Sequence, residues 1–82
     1  MSIINVKGVI VNEDCKIKYD SNNKKRVGSK SWERYEDYKD SKSIGEFLSS
    51  GGKKEDLRWD LEKGFLELLE SYDYKMKKVI KL

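Results

Sequence analysis

No proline and no histidine occur in this chain, cysteine occurs once, and no apolar run is longer than a few residues. Each shortage excludes something. Without proline, no residue type forbids helix or strand anywhere. Without histidine, and with Cys15 as the sole cysteine, the usual zinc ligand sets are out of reach. One cysteine closes no intramolecular disulfide, which fits a reducing compartment. Apolar runs such as Phe65-Leu66 and Leu68-Leu69 fall far short of the roughly 20 residues that span a bilayer. Met1-Ser2-Ile3-Ile4-Asn5 lacks a basic segment followed by an apolar stretch, so no signal peptide is expected. No P-loop, nucleophile elbow or Cys–His arrangement is present. The expectation is therefore a protein that is not an enzyme and has no cofactor, in the cytoplasm, or in the host cytoplasm or nucleus if the chain is viral.

What is present is a chain of 82 residues with 18 bases against 15 acids, a net charge of +3. That length allows one domain with a modest core. Two Trp, five Tyr and two Phe supply the bulk for it, and the near balance of charge argues against a disordered basic tail. The charges are unevenly placed. Residues 16–30 hold six bases and one acid, residues 31–73 seven bases and twelve acids, and residues 74–82 four lysines and no acid. An acidic centre thus lies between two basic segments.

The patterning predicts an α+β domain. Ile3 to Val11 is rich in β-branched residues, Asn12-Glu13-Asp14 is a turn signal, and Cys15, Ile17 and Tyr19 alternate with Lys16 and Lys18. These features predict an N-terminal β-hairpin over residues 1–19, with Gly8 marking a bulge. Residues 20–30 form a loop rich in Ser, Asn and Gly that carries Lys24, Lys25, Arg26 and Lys30. Three short helices follow over residues 31–63. Trp32, Tyr35 and Tyr38 recur at helical spacing in the first, which Ser29 or Ser31 caps. Ser43-Ile44-Gly45-Glu46 is a capping box that opens the second, and Ser49-Ser50-Gly51-Gly52 stops it. The third runs from about Lys53 to Lys63, with Leu57 and Leu61 on one face. Gly64 leaves two continuations open over residues 64–82. The helix runs on, at a cost of only ~1 kcal/mol for an internal glycine, or it ends there. The favoured reading is an end, a strand over Phe65–Leu69, a loop at Glu70-Ser71-Tyr72-Asp73 and a Lys-rich return strand.

Three short helices with a Gly-Gly corner between the second and third resemble the helix-turn-helix class. The stretch from Leu57 to Leu68, a leucine-patterned helix ending in Lys63-Gly64 before an apolar strand, resembles the end of a winged-helix recognition helix. The resemblance covers residues 31–80. With Gly51 as the corner glycine, Phe47 and Asp60 depart from the class pattern, which wants a small and an apolar residue there. The resemblance implies DNA as the partner, the third helix as the contact and the C-terminal hairpin as the wing.

The expected function is non-enzymatic binding of nucleic acid, directed mainly at the backbone. Phosphate contacts are assigned to Lys24, Lys25, Arg26 and Lys30 on the loop, Lys54 and Arg58 on the third helix, and Lys77 and Lys78 on the wing. Trp59 lies off the Leu57–Leu61 face and is expected to be an exposed contact residue. The alternative is a small modulator of the viral or phage type that meets a basic protein partner or mimics nucleic acid. Its contact residues are Glu36, Asp37, Asp56, Trp59 and Asp60. Asp56 and Asp60 share a helix face, a geometry that can hold Mg²⁺. Pairing with Arg58, Lys53 or Lys63 as surface charges is the expected arrangement, with no metal site. Cys15 is expected to be buried and apolar in character.

Overall fold

The computed structural model describes residues 3–82. Three helices and six short strands make an α+β fold in the order β1 (Ile3–Val6), β2 (Val9–Asn12), β3 (Ile17–Tyr19), α1 (Lys30–Tyr38), α2 (Ile44–Ser49), α3 (Lys54–Glu62), β4 (Leu66–Leu68), β5 (Glu70–Asp73) and β6 (Lys78–Lys81). The strands pair antiparallel as β1 with β2, β3 with β4, and β5 with β6. No helix of the described residues is long and apolar enough to cross a membrane.

The N-terminal hairpin turns earlier than its pattern predicts. Val6 pairs with Val9, so Lys7 and Gly8 form a two-residue loop, and both have positive φ, 50° and 92°. That is the signature of a type I′ turn, whose twist matches that of the strands it joins. Gly8 is therefore a turn residue and not a bulge. Asn12-Glu13-Asp14 also turns the chain, with Asn12 Oδ1 accepting the Asp14 N–H at 3.1 Å. It leads to a different partner: Ile17 lies opposite Leu68 and Tyr19 opposite Leu66, about fifty residues away. The alternation of Cys15, Ile17 and Tyr19 with Lys16 and Lys18 correctly predicts which side is buried. Alternation fixes a face and leaves the neighbouring strand unspecified.

The helices begin where their caps predict. Ser29 Oγ accepts the Trp32 N–H at 3.1 Å, and Ser43 Oγ accepts the Glu46 N–H at 3.1 Å. α3 lacks a hydroxyl cap. Asp56 reaches back to the Lys53 N–H at 3.1 Å instead. Gly64 has φ +80°, so the helix ends there, as the favoured reading holds. The strands beyond it are shifted from their expected positions. Residues 70–73, expected as a loop, are strand β5, with Tyr72 buried and opposite Val79. The turn begins at Asp73, whose Oδ1 accepts the N–H groups of Lys75 and Met76.

The core gathers residues from every element but β6: Ile4, Val6, Val11, Ile17, Tyr19, Tyr35, Tyr38, Ile44, Phe47, Leu57, Leu66 and Tyr72, with Cys15 buried among them. Its centre is aromatic. Tyr38 meets Phe47 edge to face at 4.6 Å between centroids, and Tyr19 touches Tyr35, Tyr38 and Phe47. Three tyrosine hydroxyls thereby enter the interior, and each needs a partner there.

Candidate functional site

Those hydroxyls find their partners at the base of the basic loop. Tyr38 Oη donates to Asp60 Oδ2 at 2.6 Å and Tyr19 Oη to the same oxygen at 3.0 Å. Tyr35 Oη donates to the Asp20 carbonyl at 2.6 Å. Burial is the main cause that pushes the pKa of all three phenols well above the ordinary range, and the nearby carboxylates, Asp60 for Tyr19 and Tyr38, add to it. Asp60 is fully buried. Its other oxygen, Oδ1, lies 2.5 Å from Lys25 Nζ, and the lysine side chain is only 7% exposed. Oδ1 takes part in no well-directed hydrogen bond, so the contact is held by charge. The ammonium also lies over the rings of Phe65 and Tyr35, 5.7 and 5.9 Å from their centroids.

This corrects two expectations. Lys25 does not face solvent from the loop, and Asp60 is not a surface charge. Asp60 occupies an inward position on α3 beside Leu57, where an ion pair and two hydroxyls replace an apolar side chain. Asp56 is also buried. Arg34 grips it with two hydrogen bonds, Nε to Oδ2 and Nη2 to Oδ1, both 3.0 Å. Burial opposes ionisation of Asp56, but the Arg34 bonds and the Lys53 N–H outweigh it and hold the carboxyl below its ordinary range. Its partner is Arg34, from a different helix, and none of the expected Arg58, Lys53 and Lys63 side chains. With both carboxylates engaged by cations, the Mg²⁺ geometry falls away, and Asp56 and Asp60 drop out of the expected acidic contact surface, whose Asp37 and Trp59 remain exposed.

The two pairs tie the basic loop and α1 to α3, and a groove of ≈ 570 Å³ lies in the angle between them. Trp59 and Phe65 give it apolar walls. Lys24, Arg26, Lys63, Ser29 and Ser31 also line it. Trp59 is 53% exposed, and Lys63 Nζ sits 4.8 Å from the centre of its ring. Lys25 is taken up by Asp60 and Asp56 by Arg34. The remaining charges of the lining are Lys24, Arg26 and Lys63 against one carboxylate, Glu55, so the groove is electropositive. Lys24 has only a loose contact with Asp20, at 3.6 Å. The chain matches no family model, no curated protein and no solved structure.

The other expected contact residues lie elsewhere. Lys30 and Lys54 are exposed on the first turns of α1 and α3 and do not line the groove. Arg58 faces a separate depression with Asn5, Lys7 and Glu62. Lys77 is in the β5–β6 turn and Lys78 begins β6, both outside the groove. Glu36 is engaged by Asn23 and Lys39, at 3.0 and 3.1 Å. Asp37 is exposed and lines a depression of ≈ 750 Å³ with Glu13, Asp14, Asp40 and Glu46, whose lining holds no Lys or Arg. Sequence reasoning missed Lys63 as a residue of the groove lining and Lys25–Asp60 as an internal pair. A usable signal was the tyrosine count: buried phenols require buried acceptors, and Asp60 lies at helical spacing from Leu57.

Proposed function

We propose that this protein binds nucleic acid, without catalysing a reaction on it, mainly through the phosphate backbone. The observation that carries the reading is the groove lined by Lys24, Arg26 and Lys63 together with an exposed Trp59. Cations on a loop neutralise phosphates without reading sequence. DNA is the expected type. The winged-helix resemblance belongs to the same proposal at the level of element order, supported by the glycine corner before α3 and the β5–β6 hairpin after it. Contact through the exposed face of α3 has weaker support, because Glu55 and Glu62 there offset Lys54 and Arg58.

A gel shift against duplex DNA, single-stranded DNA and RNA at two salt concentrations tests the reading. Affinity falls steeply with salt. A Lys24→Ala/Arg26→Ala/Lys63→Ala variant binds every sequence more weakly, and its salt slope drops by roughly one per residue removed. An unchanged slope in a folded variant excludes the groove as the contact.

The depression with five acids and no base favours a second reading, a basic protein partner. Under it, a folded Asp37→Lys/Asp40→Lys variant loses that partner. Under the first reading the same variant binds nucleic acid at least as tightly as the parent.

A further inference from the structure

Besides its charge the groove has a second character. Granted the nucleic-acid reading, on which this inference rests, that character bears on the form of nucleic acid accepted. Trp59 and Phe65 set aromatic surface among the charged side chains of the lining, and the open groove's volume of ≈ 570 Å³ lies in the range of about 300–1,000 Å³ typical of sites that hold a small ligand. A duplex presents a convex ridge of phosphates with its bases stacked inside. It offers phosphates to Lys24, Arg26 and Lys63 but no free base face to Trp59 and Phe65. An unpaired nucleotide has both parts that the groove complements: a flat π face and a phosphate on either side.

We propose that the groove takes an unpaired nucleotide of a single strand, its base against the face of the Trp59 indole that Lys63 Nζ does not cover and its flanking phosphates on Lys24, Arg26 and Lys63. The walls are set in advance. Lys25–Asp60 fixes the loop to α3, and Arg34–Asp56 fixes α1 to α3, so binding orders little that is not already ordered. The polar groups available to a base edge are the Ser29 and Ser31 hydroxyls and Glu55. Ser29 Oγ is already engaged, donating to the Arg26 carbonyl and accepting from Trp32. Recognition therefore rests on stacking, which every base offers, and binding is tolerant of sequence.

The test is fluorescence anisotropy of end-labelled oligomers of equal length titrated with the whole protein: oligo-dT, oligo-rU, a hairpin duplex and an abasic phosphodiester strand. The expected result is single-strand affinity at least tenfold above duplex and abasic strands. Trp59→Ala lowers single-strand affinity roughly 10- to 150-fold, to the abasic level, and Trp59→Phe recovers part of the loss. Trp59 is exposed, and thermal unfolding verifies that both variants are folded. Preference for either sugar satisfies the proposal. Equal affinity for single, duplex and abasic strands, with Trp59→Ala silent, overturns it and leaves the phosphate reading standing. No binding to any strand overturns both. A labelled phosphoserine peptide, titrated alongside the oligomers, that binds more tightly than any strand also overturns it.

Discussion

Withdrawing an ammonium and a carboxylate from water removes most of their hydration, and their mutual attraction repays the loss only when both remain. Lys25 and Asp60 are in that position, with side chains 7% and 0% exposed. Lys25→Met leaves a buried carboxylate held only by Tyr19 and Tyr38. The expected loss of unfolding free energy is about 3–5 kcal/mol, a large part of what a domain of this size has, and urea denaturation at pH 7 measures it. Two pH dependences accompany this cluster. The phenols of Tyr19, Tyr35 and Tyr38 hold their protons more tightly folded than unfolded. Above the unfolded value near ~10 the unfolded chain ionises while the folded one does not, so stability falls as pH rises past that point. Urea midpoints at pH 9 and 11 register the loss, and Tyr38→Phe lessens it. Asp56 behaves oppositely. Its folded carboxyl lies below the ordinary 3.8, so its contribution is complete above that value and disappears as pH falls through the folded one. Arg34→Met is less stable at neutral pH and loses less further stability between about pH 4 and 2, as acid denaturation curves will record.

The connections between elements place two adjacent glycines under different constraints. Gly51 ends α2 with φ +94° in open space, whereas a Cβ on Gly52 runs into the Phe47 ring. Gly51→Ala costs about 1–2 kcal/mol of backbone strain. Gly52→Ala has to displace a fully buried ring, and chemical denaturation shows it to be the more damaging of the two, beyond the about 1–3 kcal/mol of ordinary overpacking. Gly64→Ala, with φ +80° and nothing near its Cβ, resembles Gly51→Ala and destabilises, whereas a glycine inside a continuous helix gains stability on the same change. At the first hairpin, Lys7 has φ 50° beside Gly8. Asn-Gly is the favoured pair for that turn, so Lys7→Asn raises the thermal midpoint.

Across the whole molecule, which measures 43 × 21 × 18 Å, a net charge of +3 conceals a division. The groove beside α3 is electropositive, and the depression lined by Glu13, Asp14, Asp37, Asp40 and Glu46 is acidic. Surface potentials of this kind act on association rate as well as on affinity. Among the described residues, Glu55 is the one uncompensated acid of the groove lining. Glu55→Lys therefore speeds association with a single strand and steepens its salt dependence, both measurable by stopped-flow anisotropy. Slower association in a folded variant contradicts the groove's assignment as the anionic ligand's entry.

The sequence alone determined what depends on neighbours within a few residues. Ser43 caps because an oxygen at that position satisfies an N–H of the first turn, and the same rule narrowed the first helix's cap to Ser29 or Ser31. Cys15, Ile17 and Tyr19 share a face because strand geometry repeats every two residues, whereas at Gly64 the sequence favoured a helix end without excluding a continuous helix, and the positive φ settled it. The α+β class and three short helices follow from such local rules. The exposure of Trp59 also follows from its offset from Leu57 and Leu61. Only the tertiary structure decided what depends on residues distant along the chain. The pairing of β3 with β4 is one case, because hydrogen bonds between strands carry no sequence address. The inward turn of Lys25 is another. In Lys24-Lys25-Arg26 nothing local distinguishes the middle cation, and its partner Asp60 lies thirty-five residues on. Packing chose it, because the tyrosines and Asp60 meet under that part of the loop and a buried carboxylate needs a counter-charge within reach.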